Sequence, residues 1–190
     1  MSFLTAESPE FTLEIKRSEF ICQIKHVETE DQAKDFIAER KKLHSLATHN
    51  CYAYRVNDCG VERSRYSDDG EPQGTAGLPI LNVLKNKEFV NVVAVVTRYF
   101  GGIKLGGGGL VRAYSEACAG AAAIAAVSEC VPCAEFRIEF SYENYKKFSA
   151  FRLPKKSVIR STEYSDKVTV VLAVDSSLVD SFVTEFEGFY

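Results

Sequence analysis

The sequence has 190 residues, a net charge of −3, 46% hydrophobic residues and 26% charged residues. These ordinary globular values exclude disorder, and the small negative charge excludes a global attraction to nucleic acid or anionic membranes. No apolar run approaches the roughly 20 residues of a membrane span, and the first residues lack the features of a signal peptide. We therefore expect a cytosolic protein with no membrane contact, in which most of the six cysteines are buried thiols rather than disulfides.

The first part of the chain predicts alternating strands and helices. Apolar and polar residues alternate over 11–15 and 20–24, which predicts a hairpin around Lys16-Arg17-Ser18. Thr29 forms a capping-box pattern with Gln32 and predicts a helix to about His44. The further predicted elements are strands 51–56 and 61–65 joined by a turn at 58–60, a helix 77–84, a strand 90–96 buried on both faces, and an alanine-rich helix 110–127.

A second part begins near Val131-Pro132. Its strand and helix periodicities predict the order β-α-β-β-α, which is a ferredoxin-like half-sandwich without its last strand. That strand would begin at Tyr190, where the chain stops. We therefore predict two α+β domains, residues 1–130 and 131–190.

Glycine and basic residues concentrate in one stretch of the chain. Nine of the twelve glycines lie between Gly70 and Gly109, and the segment from Arg63 to Arg112 carries a net charge of +3 against −6 for the rest. Glycine weakens regular structure, so this density indicates close approach of the backbone to a neighbouring group or a ligand.

The glycine-rich loop from Arg98 to Gly109 follows a buried strand and opens a helix. This order exposes backbone N–H groups and the positive end of the helix dipole beside Arg98, Lys104 and Arg112, which is typical of an anion site. The loop matches neither a Walker A motif nor a dinucleotide-binding fingerprint. A glycine-rich turn that lets strand and helix pack tightly is the alternative.

An acidic turn, Ser67 to Pro72, contains Asp68, Asp69 and Glu71. Three acids could hold a hard cation or act as acid and base, but the spacing of a calcium loop is absent. Backbone capping, or a salt bridge to Arg63, Arg65 or Arg98, is the favoured interpretation.

Two cysteine motifs are candidates for nucleophilic, redox or metal chemistry. His49 and Cys51 would share one side of the strand if it starts at His49, but no third group that would orient a nucleophilic pair is evident. Cys130 and Cys133 form a lone C-x-x-C that follows a helix, without the second ligand pair that zinc needs. Neither motif predicts a catalytic, cofactor or metal site.

These motifs together resemble the IMPACT family, in its bacterial YigZ-like branch. The resemblance runs through 16–20, 47–54 and 67–77, is strongest at 96–106, and ends at 108–114. It implies an N-terminal βα sandwich like domain 2 of a small-subunit ribosomal protein and a ferredoxin-like C-terminal domain. It also implies a role in translation, because eukaryotic members bind the activator of a starvation-responsive initiation-factor kinase. The chain departs from the family at Gly107, where alanine is usual, and by ending early.

The leading hypothesis is a translation-linked protein that binds RNA, the ribosome or a ribosome-associated partner, with Tyr66, Tyr99 and Phe100 available to stack on bases. One alternative is a hydrolase for a small anionic or peptidic substrate, which would use His49 with Asp68 or Asp69, with or without a metal ion. A pure protein-interaction module is the other, and the sequence does not predict the oligomeric state. The candidate binding residues are Arg65, Tyr66, Asp68, Asp69, Glu71, Arg98, Tyr99, Lys104, Gly106, Gly107, Gly108, Gly109 and Arg112.

Overall fold

The computed structural model describes residues 3–58, 61–155 and 157–187, and its fold is mixed α+β. The chain divides into two compact units, Phe3–Cys130 and the part from Val131 onwards, and each unit has its own hydrophobic core. The expected fold class, a βα domain followed by a domain of sheet and helices, is confirmed. The predicted turn at 58–60 falls partly outside the described residues.

The N-terminal unit is built on a five-stranded antiparallel sheet. In chain order its elements are β1 (Phe3–Glu7), β2 (Phe11–Ile15), β3 (Ser18–His26), α1 (Glu30–Leu43), β4 (His49–Asp58), β5 (Val61–Ser67), α2 (Gly77–Asn86), β6 (Val92–Tyr99), α3 (Gly107–Ala123) and β7 (Ala126–Cys130). The sheet has the order β2-β3-β6-β4-β5, so β6 is its central strand.

Helices cover both faces of this sheet. Val93 and Val95 of β6 point to one face and pack with Phe36 of α1, whereas Ala94 and Val96 point to the other and pack with α2 and α3. The prediction that the strand near 90–96 is buried on both faces is confirmed, and the reason is this three-layer arrangement. The capping of α1 is also as predicted, because the N–H of Gln32 donates to the Thr29 hydroxyl over 3.2 Å.

Two strands of the N-terminal unit, β1 and β7, were not predicted. The helix expected over 110–127 ends at Ala123, and Ala126–Cys130 forms β7, which pairs antiparallel with β1. Ala126 and Val127 continue the apolar pattern of the helix, but backbone pairing with Phe3–Glu7 overrides that local preference.

The C-terminal unit contains a three-stranded antiparallel sheet. Its elements are β8 (Cys133–Phe140), α4 (Tyr142–Phe148), β9 (Ser157–Tyr164), β10 (Val168–Asp175), a 3₁₀ turn (Ser176–Leu178) and α5 (Val179–Glu187). The strand order is β8-β10-β9, and the core is formed by phenylalanines of β8, α4 and α5 packed on β10. The predicted order β-α-β-β-α is confirmed, whereas the position of a fourth strand at Tyr190 lies outside the described residues.

Candidate functional site

A cleft of about 430 Å³ opens at the end of the N-terminal sheet where β6 ends and β4 begins. Residues from both of the segments singled out in the sequence line it. The acidic turn contributes Glu71 and Pro72, and the glycine loop contributes Arg98, Phe100 and Lys104 to Gly107. Thr48, His49 and Leu110 complete the lining.

Strand register explains why these segments meet. His49 pairs with Arg98 across β4 and β6, so the start of β4 lies beside the glycine loop. The N–H of Thr48 donates to the Arg98 carbonyl over 2.9 Å, and the N–H of Phe100 donates to the Thr48 hydroxyl over 3.1 Å. These bonds fix the loop on one side of the cleft.

Asp68 holds the acidic turn together. Its carboxylate accepts hydrogen bonds from the backbone N–H groups of Gly74 at 2.8 Å, Ala76 at 3.0 Å and Gly77 at 2.8 Å. All of these partners are backbone donors, so this carboxylate caps the turn and the start of α2.

Asp69 is also engaged within the protein. Its carboxylate accepts from the Lys41 ammonium at 2.6 Å and from the backbone N–H of Asn50 at 2.7 Å. Its carbonyl oxygen lies 2.8 Å from Nδ1 of His49. Asp69 therefore positions His49 through the backbone rather than through its carboxylate.

Glu71 and Arg98 form a buried ion pair at the floor of the cleft. Nη1 of Arg98 donates to Oε1 of Glu71 over 2.6 Å, and the Tyr114 hydroxyl donates to the same oxygen over 2.9 Å. The Arg98 guanidinium also lies over the rings of Phe20 and Phe100, with centroids 5.4 Å and 5.3 Å away. Glu71 thus balances the charge of Arg98 inside the protein, and Arg98 does not present a free cation to the cleft.

Two cations near the cleft, Lys104 and Arg112, are free. Both are exposed, and neither forms an ion pair with a residue that the structure describes. They flank the start of α3, whose N-cap residue is Gly106, with a φ of +74° and no side-chain cap. The first turn of α3 contains no acidic residue, so its N–H groups and the positive end of the dipole stay available.

Alanine, the usual family residue at position 107, fits the structure. A Cβ at Gly107 would meet only Cγ2 of Thr75, at an ordinary contact distance of 3.9 Å. Glycine at this position is therefore not required by close packing in the first turn of α3.

Other candidate residues lie outside the cleft lining. Arg65 is on β5, where its Nε lies 3.6 Å from a carboxylate oxygen of Glu30, and Tyr66 beside it is 47% exposed. Tyr99 is at the end of β6, and its hydroxyl lies 3.0 Å from Nδ1 of His44. Gly108, Gly109 and Arg112 belong to the first turns of α3 and do not line the cleft.

His49, the residue of the hydrolase alternative, and Phe100, expected to stack on bases, both line the cleft. Nδ1 of His49 donates to the Asp69 carbonyl, and Nε2 lies 3.9 Å from Oε2 of Glu71. Phe100 is 45% exposed beside the glycine loop.

Cys51, which lies two residues from His49 on β4, is a buried thiol. Cys51 faces the core, donates to the Asp68 carbonyl at 3.0 Å, and has a pKa raised to about 12 by burial. A thiol with that pKa stays neutral, so Cys51 and His49 do not form a nucleophilic pair. Within the described ranges, no group of three or more histidine, cysteine, aspartate or glutamate side chains is placed to hold a metal ion.

Comparisons with known proteins identify the family. The model of the Impact N-terminal domain matches residues 16–122. The chain is 50% identical to the IMPACT family member YvyE of Bacillus subtilis over 114 residues, which are 60% of this chain and 52% of YvyE. It is 32% identical to YigZ of Escherichia coli over 177 residues, which are 93% of this chain and 87% of YigZ.

A solved structure has a similar fold over nearly the whole chain. The crystal structure of a hypothetical protein is 31% identical, has a TM-score of 0.73, and aligns over 99% of this chain and 92% of its own. No helix in the described part of the chain is long and apolar enough to cross a membrane. By the domain match and by its identity to YigZ over most of both chains, this chain belongs to the IMPACT family.

Proposed function

We propose that the chain is a translation-linked binding protein whose surface around the cleft contacts RNA. The link to translation comes from the family resemblance, because eukaryotic members of the family regulate translation. The observation that carries the RNA contact is the convergence of Lys104 and the uncapped start of α3 on one cleft. Phosphate oxygens are the natural partners of such N–H groups and ammonium groups.

Exposed aromatic residues add a second kind of contact. Phe100 is 45% exposed at the cleft, and Tyr66 is 47% exposed on the neighbouring part of the sheet. Bases of single-stranded RNA stack on such rings without strong sequence preference. Together with the cations, these rings support a binding surface for single-stranded RNA that reads backbone and stacking rather than sequence.

Salt dependence tests this proposal. Fluorescence anisotropy with a ribosomal RNA fragment is expected to show an affinity that falls steeply as salt rises. Replacing two phosphate contacts through Lys104→Ala plus Arg112→Ala is expected to weaken binding and to reduce the slope of log K against log salt by about 1.4–1.8. The matched control, Lys85→Ala plus Lys87→Ala, removes the same charge at the far end of α2 and should leave the slope unchanged.

The proposal fails if the affinity is insensitive to salt or if the cleft variant binds like the wild type. A partner that is captured equally well after nuclease treatment, with no RNA affinity, would instead favour a protein-interaction module.

A hydrolase is the second candidate, and one observation favours it. The Asp69 carbonyl holds His49 in the tautomer whose Nε2 can accept a proton at the cleft. Because Asp68 and Asp69 are engaged in capping and pairing, His49 and not the acidic turn would supply the base. A panel of phosphoester and peptide substrates tests this candidate: turnover that His49→Gln abolishes supports it, and absence of turnover by the wild type removes it.

A further inference from the structure

The turn between β2 and β3 has an unfavourable backbone conformation for its residues. Ile15 and Ser18 are paired across the hairpin, so Lys16 and Arg17 alone form the loop. Their φ angles are +49° and +64°. Two positive φ angles are the signature of a type I′ turn, in which asparagine followed by glycine is strongly preferred. Lysine and arginine enter this region only rarely.

This turn lies directly against the glycine loop. A Cβ at Gly101 would fall 2.0 Å from the carbonyl oxygen of Arg17, which is too close for any side chain. The N–H of Gly101 also donates to the hydroxyl of Ser18 over 3.1 Å. The β2–β3 turn and the glycine loop therefore form one continuous surface, and Gly101 is required to be glycine by the approach of the turn.

The charges of the turn are free. Lys16 and Arg17 are exposed, and neither forms an ion pair within the described part of the chain. Glu14 and Glu19 face each other one pair further along the hairpin. Lys104 follows Gly101 by three residues, so the combined surface carries three unpaired cations within two short loops.

We infer that Lys16 and Arg17 contact phosphate groups of RNA bound at this surface. This role explains why two basic residues occupy a turn whose backbone conformation favours asparagine and glycine. Residues that oppose the local conformational preference concentrate where function requires them. Stability alone would favour asparagine and glycine here. The exposed ring of Phe100 on the same loop favours RNA over an acidic protein, since bases stack on it. This inference rests on the proposed function.

The double substitution Lys16→Asn plus Arg17→Gly separates stability from binding. It installs the preferred type I′ residues, so the melting temperature is expected to rise by about 2–4 °C. It also removes two phosphate contacts, so RNA affinity is expected to fall and the salt slope to decrease by about 1.4–1.8. A turn with a purely structural role would gain stability and keep its RNA affinity.

Two controls accompany this variant. Lys16→Arg plus Arg17→Lys keeps both charges and should keep the wild-type slope. Lys85→Gln plus Lys87→Gln removes two charges at the other end of the sheet and should also keep it. If the asparagine and glycine variant does not fold, Lys16→Gln plus Arg17→Gln removes the charges without installing residues that prefer a positive φ. Its RNA affinity and salt slope are then expected to fall in the same way.

The outcomes distinguish this inference from the proposed function. Wild-type RNA binding by the turn variant, together with weakened binding by Lys104→Ala plus Arg112→Ala, overturns the inference and leaves the proposed function standing. A wild-type protein without salt-dependent RNA affinity overturns both. Polyglutamate provides a further test. If it displaces RNA from the wild type, and the turn variant loses only polyglutamate binding, the inference is overturned in favour of an acidic protein partner.

Discussion

At the scale of single residues, His44 is partly buried in a polar network beside Tyr99. Nη2 of Arg40 lies 2.7 Å from Nε2 of His44, and arginine can only donate, so Nε2 accepts. Nδ1 then carries the proton and lies 3.0 Å from the Tyr99 hydroxyl. Burial first, and then the adjacent Arg40 guanidinium, lower the pKa of His44 below its ordinary value of 6.5. The folded protein therefore favours neutral His44.

This lowered pKa predicts acid sensitivity. Below about pH 6.5 the unfolded state binds a proton at His44 that the folded state resists. The free energy of unfolding therefore decreases as the pH is lowered, until the pH reaches the pKa of His44 in the folded state. One such proton gives a slope of at most about 1.4 kcal/mol per pH unit. The variant His44→Gln keeps an acceptor for Arg40 and should show a shallower slope in urea unfolding below pH 6.5. Identical slopes for both proteins, or an NMR titration of His44 at its ordinary pKa, would contradict this prediction.

At the scale of secondary-structure elements, α2 begins without a cap of its own. Its N-cap residue is Ala76, which offers no side-chain acceptor. Asp68 supplies the acceptor from the preceding turn, through bonds to the N–H groups of Ala76 and Gly77. A bond to Gly74 ties the intervening loop to the same carboxylate. The acidic turn and the helix therefore depend on one side chain.

Asp68→Asn should consequently destabilise the N-terminal unit. The amide retains one acceptor oxygen and turns an NH₂ group towards backbone donors, so at least one partly buried N–H loses its partner. We expect a loss of about 1–3 kcal/mol in urea unfolding. Asp31→Asn is the matched control, since Asp31 is exposed on α1 and pairs only with Lys34 within the described residues; its effect should stay within about 0.5 kcal/mol. Full stability of Asp68→Asn with lost binding or turnover would show that the carboxylate serves a ligand instead.

At the scale of the whole molecule, local patterns predicted most elements but not the contacts between distant ones. The apolar run of β6 and the capping pattern of α1 are properties of neighbouring residues, and both were predicted. The pairing of β1 with β7 joins opposite ends of the N-terminal unit, so no local window contains it. Prediction by periodicity therefore extended α3 into β7.

In the candidate site too, local sequence patterns predicted the segments but not the contacts between them. Glycine density and charge identified both segments that reach the cleft. They could not show that Glu71 balances the charge of Arg98, because these residues meet only through the packing of the acidic turn on β6. They also could not show that His49 lines the cleft, since its position depends on the register between β4 and β6.

The pairing of β1 with β7 also determines where the chain enters and leaves the N-terminal unit. Phe3 and Cys130 are directly opposite each other, and the hydroxyl of Thr5 on β1 lies 2.7 Å from Nδ1 of His26, which pairs with Val92 at the start of β6. The cleft is at the other end of β6, about 20 Å away along the strand. Adjacent ends are a property of modules that tolerate insertion and circular permutation. The two ends of residues 3–130 therefore lie side by side, at the end of β6 opposite to the cleft.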